Sequence, residues 1–178
     1  MDHWSDSIAK LNPCKDALAW LCTQPDAETA WRVCERGDWM LWIAGRLSGE
    51  PGSDSRRPLV LAACGCARLA LPYVGVEEDR PRIAIETAEA WARGEVGVTL
   101  DRVRAAADAA YATAYVAADV AYATATAAFA AAYAAYAAAA YDAYAAAYAA
   151  DAYAAIRKKT LSECADIVRT FYPHPPNI

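Results

Sequence analysis

The stretch TLDRVRAAADAAYATAYVAADVAYATATAAF, residues 99–129, runs directly into AAAYAAYAAAAYDAYAAAYAADAYAAIRKK, residues 130–159. Neither Gly nor Pro occurs between Gly97 and Pro173, so nothing in it breaks a helix outright. Alanine is the strongest helix former, because it has no side-chain rotamers to lose on ordering. The stretch predicts α-helix, and with it an all-α fold. Thr99 is placed to cap its start, and Asp101 lies in its first turn. Arg157, Lys158 and Lys159 collect at its far end, where cations complement the helix dipole.

Its tyrosines are periodic. Tyr111, Tyr122, Tyr133 and Tyr144 recur every eleven residues, three turns at roughly 3.67 residues per turn. They form one aromatic stripe, read either as core packing or as a ladder that binds a partner. A single helix over this length would be about 90 Å long at roughly 1.5 Å per residue, too long for a compact domain. A helical hairpin is therefore expected. The β-branched cluster at Thr124–Thr126 is its first candidate turn, and Tyr141–Asp142 its second.

Outward from this segment, the chain reads as a single all-α domain over residues 1–178, a helical bundle. Residues 1–98 form a Trp/Leu-rich helical core, 99–159 the Ala/Tyr-rich helices, and 160–178 a C-terminal helix and tail. CKDALAWLC (14–22) predicts a short helix, and Pro25-Asp26 starts another. Gly37 is expected to close that helix in the left-handed conformation, with Asp38 capping the next. DWMLWIAGRL (38–47) is apolar on most sides, as a central core helix would be. SGEPGSDS (48–55) is a loop. PLVLAACGCARLAL (58–71) is a second buried helix, ended by Pro72. Its small residues Ala62, Ala63, Gly65 and Ala67 invite close approach by another helix. RIAIETAEAWAR (82–93) places Ile85, Ala88 and Trp91 near one face. TLSE (160–163) is a capping box for a last helix to about Phe171, which the tail YPHPPNI cannot continue.

Composition excludes several functions. The chain has 178 residues and a formal net charge of -5, which argues against nucleic-acid binding and suits a basic protein partner. The N-terminus MDHWSDSIAK has no signal-peptide pattern, so a cytoplasmic, reduced protein is expected, with its six cysteines as small apolar residues rather than disulfides or a metal site. Val120–Tyr141 is uncharged and long enough to span a bilayer. Its Ala/Tyr/Thr composition and its acidic flanks Asp119 and Asp142 argue against a membrane span.

Enzyme motifs are missing. There is no phosphate loop, nucleophile elbow, HExxH or CxxC, and the two histidines, His3 and His174, sit at opposite ends. No cofactor is implied. Glu86 and Glu89 share a helix face, but Arg82 and Arg93 stand i,i+4 from them, which reads as paired surface charge.

LVLAACGCARLALPYV (59–74), EDRPRIAIETAEAWARGE (78–95) and DRVRAAADAAYA from Asp101 onward resemble the alanine-rich immunity proteins associated with bacterial polymorphic toxin systems. Asp79, Arg80, Pro81, Arg82, Ala84, Glu86, Ala88 and Trp91 carry most of this resemblance, which extends from about Pro13 to the C-terminus. It implies a cytoplasmic all-α protein that neutralises a toxin by binding it. Asp79, Arg80, Arg82, Glu86 and Trp91 are then the first binding candidates, joined by the tyrosine stripe. Two other readings stand beside this one. In the first, a Trp/Tyr pocket with Arg80 or Arg82 holds a small anionic, nucleotide-like ligand, as in a sequestering anti-defence protein. In the second, the chain is a structural homo-oligomer associating through its Ala/Tyr helices.

Overall fold

The computed structural model describes residues 4–74, 76–117 and 157–177. Eight α-helices lie among them, with no strand: α1 (Asp6–Ala9), α2 (Lys15–Leu21), α3 (Ala27–Val33), α4 (Gly37–Leu47), α5 (Arg57–Arg68), α6 (Arg80–Ala92), α7 (Leu100–Ala117) and α8 (Arg157–Phe171). The all-α expectation holds. The proposed hairpin turns, Tyr122, Tyr133, Tyr144 and the segment Val120–Tyr141 lie outside the described residues.

The helices pack as a row. α7 lies on α6, α6 on α5, α5 on α8, and α8 on α4. α5 is the centre of this row. Leu59, Val60, Ala62, Ala63, Cys64, Cys66 and Ala67 are all buried on it. Its small residues do what their size suggests: a Cβ on Gly65 would come within 2.8 Å of Ile167 on α8. From α4 the core receives Met40, Leu41, Ile43 and Ala44. Ala84, Ile85 and Ala88 come from α6, and Val103, Ala107 and Ala110 from α7. The last three are spaced i, i+4, i+7, one face of a helix.

Local signals explain most boundaries. Asp26 caps α3, its carboxylate accepting from the Thr29 N–H at 2.6 Å. Pro25 therefore precedes the cap instead of entering the first turn. Thr99 caps α7 through the Arg102 N–H at 3.3 Å. Gly49 and Gly52 take the left-handed conformation in the expected 48–55 loop.

Three expectations are corrected. Gly37 is not a left-handed helix terminator. It is the first residue of α4, and α3 has already ended at Val33. A Cβ there would lie 2.4 Å from the Cβ of Cys164 and 2.7 Å from the Ala165 nitrogen, so its smallness serves the α4–α8 crossing. α5 stops at Arg68, before Pro72, which sits in a 3₁₀ turn at Leu71–Tyr73. Thr160 is buried inside α8, which already includes Arg157, so tertiary packing overrides the capping-box signal.

The cysteines divide. Cys34, Cys64, Cys66 and Cys164 are free and buried, as small apolar residues would be, whereas Cys14 and Cys22 are exposed. Burial pushes the Cys64 thiol far up, which makes it inert. No helix among the described residues is long and apolar enough to cross a membrane.

Candidate partner-binding face

The outward face of α6 carries a run of ion pairs. At its start the Glu78 carboxylate accepts from the Arg80 backbone N–H at 3.0 Å and from Arg80 Nε at 2.8 Å. A second guanidinium bond, from Arg80 Nη2, closes the fork. That bonding to Arg80 holds the Glu78 carboxyl below its ordinary range. Two residues on, Arg82 reaches Glu86 at 3.0 Å and Asp79 at 3.8 Å. Pro81 fits the first turn of the helix and faces the core, so the flanking charges point out. Ile83 stands among them with 41 % of its surface exposed, and Val76 in the preceding turn is fully exposed.

Further along α6, Glu89 is the hub of a second network. Arg68 of α5 grips it with Nε at 2.6 Å and Nη2 at 2.8 Å. Arg93 adds a contact at 3.4 Å and itself pairs with Glu95 at 2.9 Å. The hydrogen bonds from Arg68 lower the Glu89 carboxyl below its ordinary value of 4.5, against the opposing effect of burial.

A depressed carboxyl stabilises the fold above its unfolded value, and that contribution disappears as pH falls through the folded value. Glu89→Gln is expected to cost about 1 kcal/mol near neutral pH, a figure already reduced for solvent screening of the half-exposed Arg68. The difference from the parent should be full above the ordinary value of 4.5 and vanish as pH falls through the lower folded value. Urea unfolding of both proteins across this range checks it.

The residues singled out from sequence separate into two groups. Asp79, Arg80, Arg82 and Glu86 come together at one end of α6, all exposed. Trp91 does not join them. It is 8 % exposed and packs in the core with Ile85 and Ala88, as the helical spacing of these three residues requires. Tyr111 is half-buried against the same core. The connection from α6 to α7 is short, with Gly94 and Gly97 both left-handed, and it folds α7 back along α6. Tyr111 lies on α7, the helix that packs against α6.

Sequence reasoning missed Glu78 and the Arg68–Glu89 clamp. Arg80 pairing is local and could have been found from Glu78-x-Arg80. The clamp links residues 21 apart and carries no local signal. Among the described residues no cluster of three or more His, Cys, Asp or Glu could hold a metal. The cavity among Trp4, Trp20, Trp31, Trp39 and Trp42 is lined by Arg36 and by neither Arg80 nor Arg82.

Residues 50–172 match the profile of the family described as "Imm-5 like putative immunity protein". The chain belongs to this family. The matched segment contains the whole α6 face, Trp91 and Tyr111, in agreement with the resemblance noted from sequence, although it starts later than the Pro13 expected for it. A search of curated proteins returned no match, and a search of solved structures returned none either.

Proposed function

We propose that the chain is a non-catalytic immunity protein that acts in the cytoplasm and neutralises a toxin or effector by binding it directly. The observation that carries this reading is the family match over residues 50–172. Within that segment, the start of α6 offers what a protein partner needs. An exposed isoleucine stands among charges already fixed in place by their neighbours, so docking does not have to order them. The formal net charge of -5 favours approach by a basic toxin. Arg82 and Ile83 are the central contacts, Asp79, Arg80 and Glu86 form the charged rim, and Tyr111 supports the face from α7.

The double variant Arg82→Ala/Ile83→Ala tests this. Both positions are exposed, and alanine is a good helix former. Stability should stay within about 0.5 kcal/mol of the parent. Affinity for the toxin that the chain neutralises should fall by about 10- to 100-fold, the loss typical of interface anchors. Unchanged affinity and unchanged protection of cells expressing that toxin would remove α6 from the interface.

A further inference from the structure

A cavity of about 480 Å³ is lined by most of the chain's tryptophans. Its walls come from α1 to α4 and from the C-terminal tail. Every residue lining it falls at or before Ile43 or at Pro175 and Pro176, so it stands wholly outside the segment shared with the immunity family. That volume is in the range of pockets that enclose small organic ligands, roughly 300–1,000 Å³.

The chemistry of the walls is specific. Five indoles contribute: Trp4, Trp20, Trp31, Trp39 and Trp42. Two of their N–H groups are already committed, Trp4 to the Gln24 carbonyl at 3.1 Å and Trp31 to the Tyr172 carbonyl at 2.8 Å. These bonds fix the rings and leave their faces as the binding surface. Trp20 and Trp39 meet at 5.9 Å with a 53° tilt, a rigid aromatic corner.

The only charged side chains in the lining, Arg36 and Asp38, neutralise each other. Arg36 Nε donates to Asp38 at 2.8 Å, and a second guanidinium bond closes the pair. The same guanidinium lies 4.2 Å from the centre of the Trp39 ring. An ionic ligand would find no uncompensated partner and would lose hydration on entry. An uncharged one would exchange water for indole faces. At the rim, Asn12 and the exposed Cys14 provide polar atoms for one edge of such a molecule.

We propose that this cavity is a binding site for an uncharged, flat aromatic or heteroaromatic small molecule, separate from the toxin-binding face. The tail closes one side of it. His174 reaches Glu28 on α3 at 3.0 Å, and Pro175 and Pro176 form part of the wall.

The test uses the full chain and the neutral fluorophore N-phenyl-1-naphthylamine. Binding is expected to be saturable at one molecule per chain, with energy transfer from tryptophan. It should slow alkylation of Cys14 at least about 5-fold and leave Cys22, which does not line the cavity, unaffected. Ala17→Phe, which places a ring in the cavity from its buried wall, should weaken binding at least about 10-fold. The sulfonated analogue 1-anilinonaphthalene-8-sulfonate should bind at least about 10-fold more weakly than the neutral probe. Non-saturable binding, binding that leaves Cys14 as reactive as before, or preference for the sulfonate would each overturn the proposal. The Cys14 readout needs no variant, so a misfolded Ala17→Phe leaves the test intact. None of these outcomes touches toxin neutralisation.

Discussion

Gly37→Ala is expected to destabilise the protein by about 3 kcal/mol, at the upper end of what one added methyl does in a packed core. The reason is contact, not backbone freedom. Gly37 is helical and needs no left-handed conformation. A Cβ there would lie 2.4 Å from the Cys164 Cβ and 2.7 Å from both the Cys164 carbonyl carbon and the Ala165 nitrogen. Backbone atoms cannot swing away as a side-chain tip can. α8 would have to retreat as a body, and it is held on its other flank by α5, where a Cβ on Gly65 would come within 2.8 Å of Ile167. Interiors at this density transmit such a displacement.

For a chain of this size, 3 kcal/mol corresponds to a fall in Tm of about 6–12 °C. Gly97→Ala is the comparison. Gly97 has φ of 81° and nothing within 4 Å of the added methyl, so it carries only the left-handed penalty, about 1 kcal/mol. A Gly37→Ala protein no less stable than Gly97→Ala would contradict the proposed α4–α8 contact.

Arg169→Met should cost about as much, roughly 3 kcal/mol, by a different route. Arg169 donates to the Trp31 carbonyl at 3.1 Å and to the Cys34 carbonyl, bonds that tie α8 to the end of α3. Methionine keeps the apolar stem and removes both donors. The two carbonyls then lose charged partners, each worth about 1.5–3 kcal/mol in part-buried settings. The ion pair with Asp166 adds little, since Asp166 is mostly exposed. Asp166→Asn should therefore stay within about 0.5 kcal/mol of the parent. Chemical denaturation gives both values, and equal effects from the two variants would show that the α3 latch is not the source.

Much of this fold could be read from the chain. The 48–55 loop, the Thr99 cap, the buried character of residues 58–68 and the end of the last helix near Phe171 all follow from local signals. What escaped was set by distance in sequence. Gly37 sits between Arg36 and Asp38 just where a helix terminator would, and nothing nearby reveals that Cys164 lies against it. TLSE looks like a helix start, yet Thr160 is needed inside a longer helix that packs on α4 and α5.

The same division holds for the sites. Asp79, Arg80, Arg82 and Glu86 are close in sequence and all stay exposed in the first two turns of α6 and the residue before it. Trp91 carries the same motif but follows its helical spacing into the core. The indole cavity draws on residues from Trp4 to Pro176, and only packing brings them together.

In the proposed mode of action the chain binds its toxin through the start of α6. Hydrogen–deuterium exchange of the full chain, alone and with a stoichiometric protein partner recovered from the host by pull-down, shows which surface the partner covers. A stable one-to-one complex is expected, with slowed exchange over residues 76–90 and no change over α5. Absence of a complex, or protection confined to segments away from α6, would contradict it.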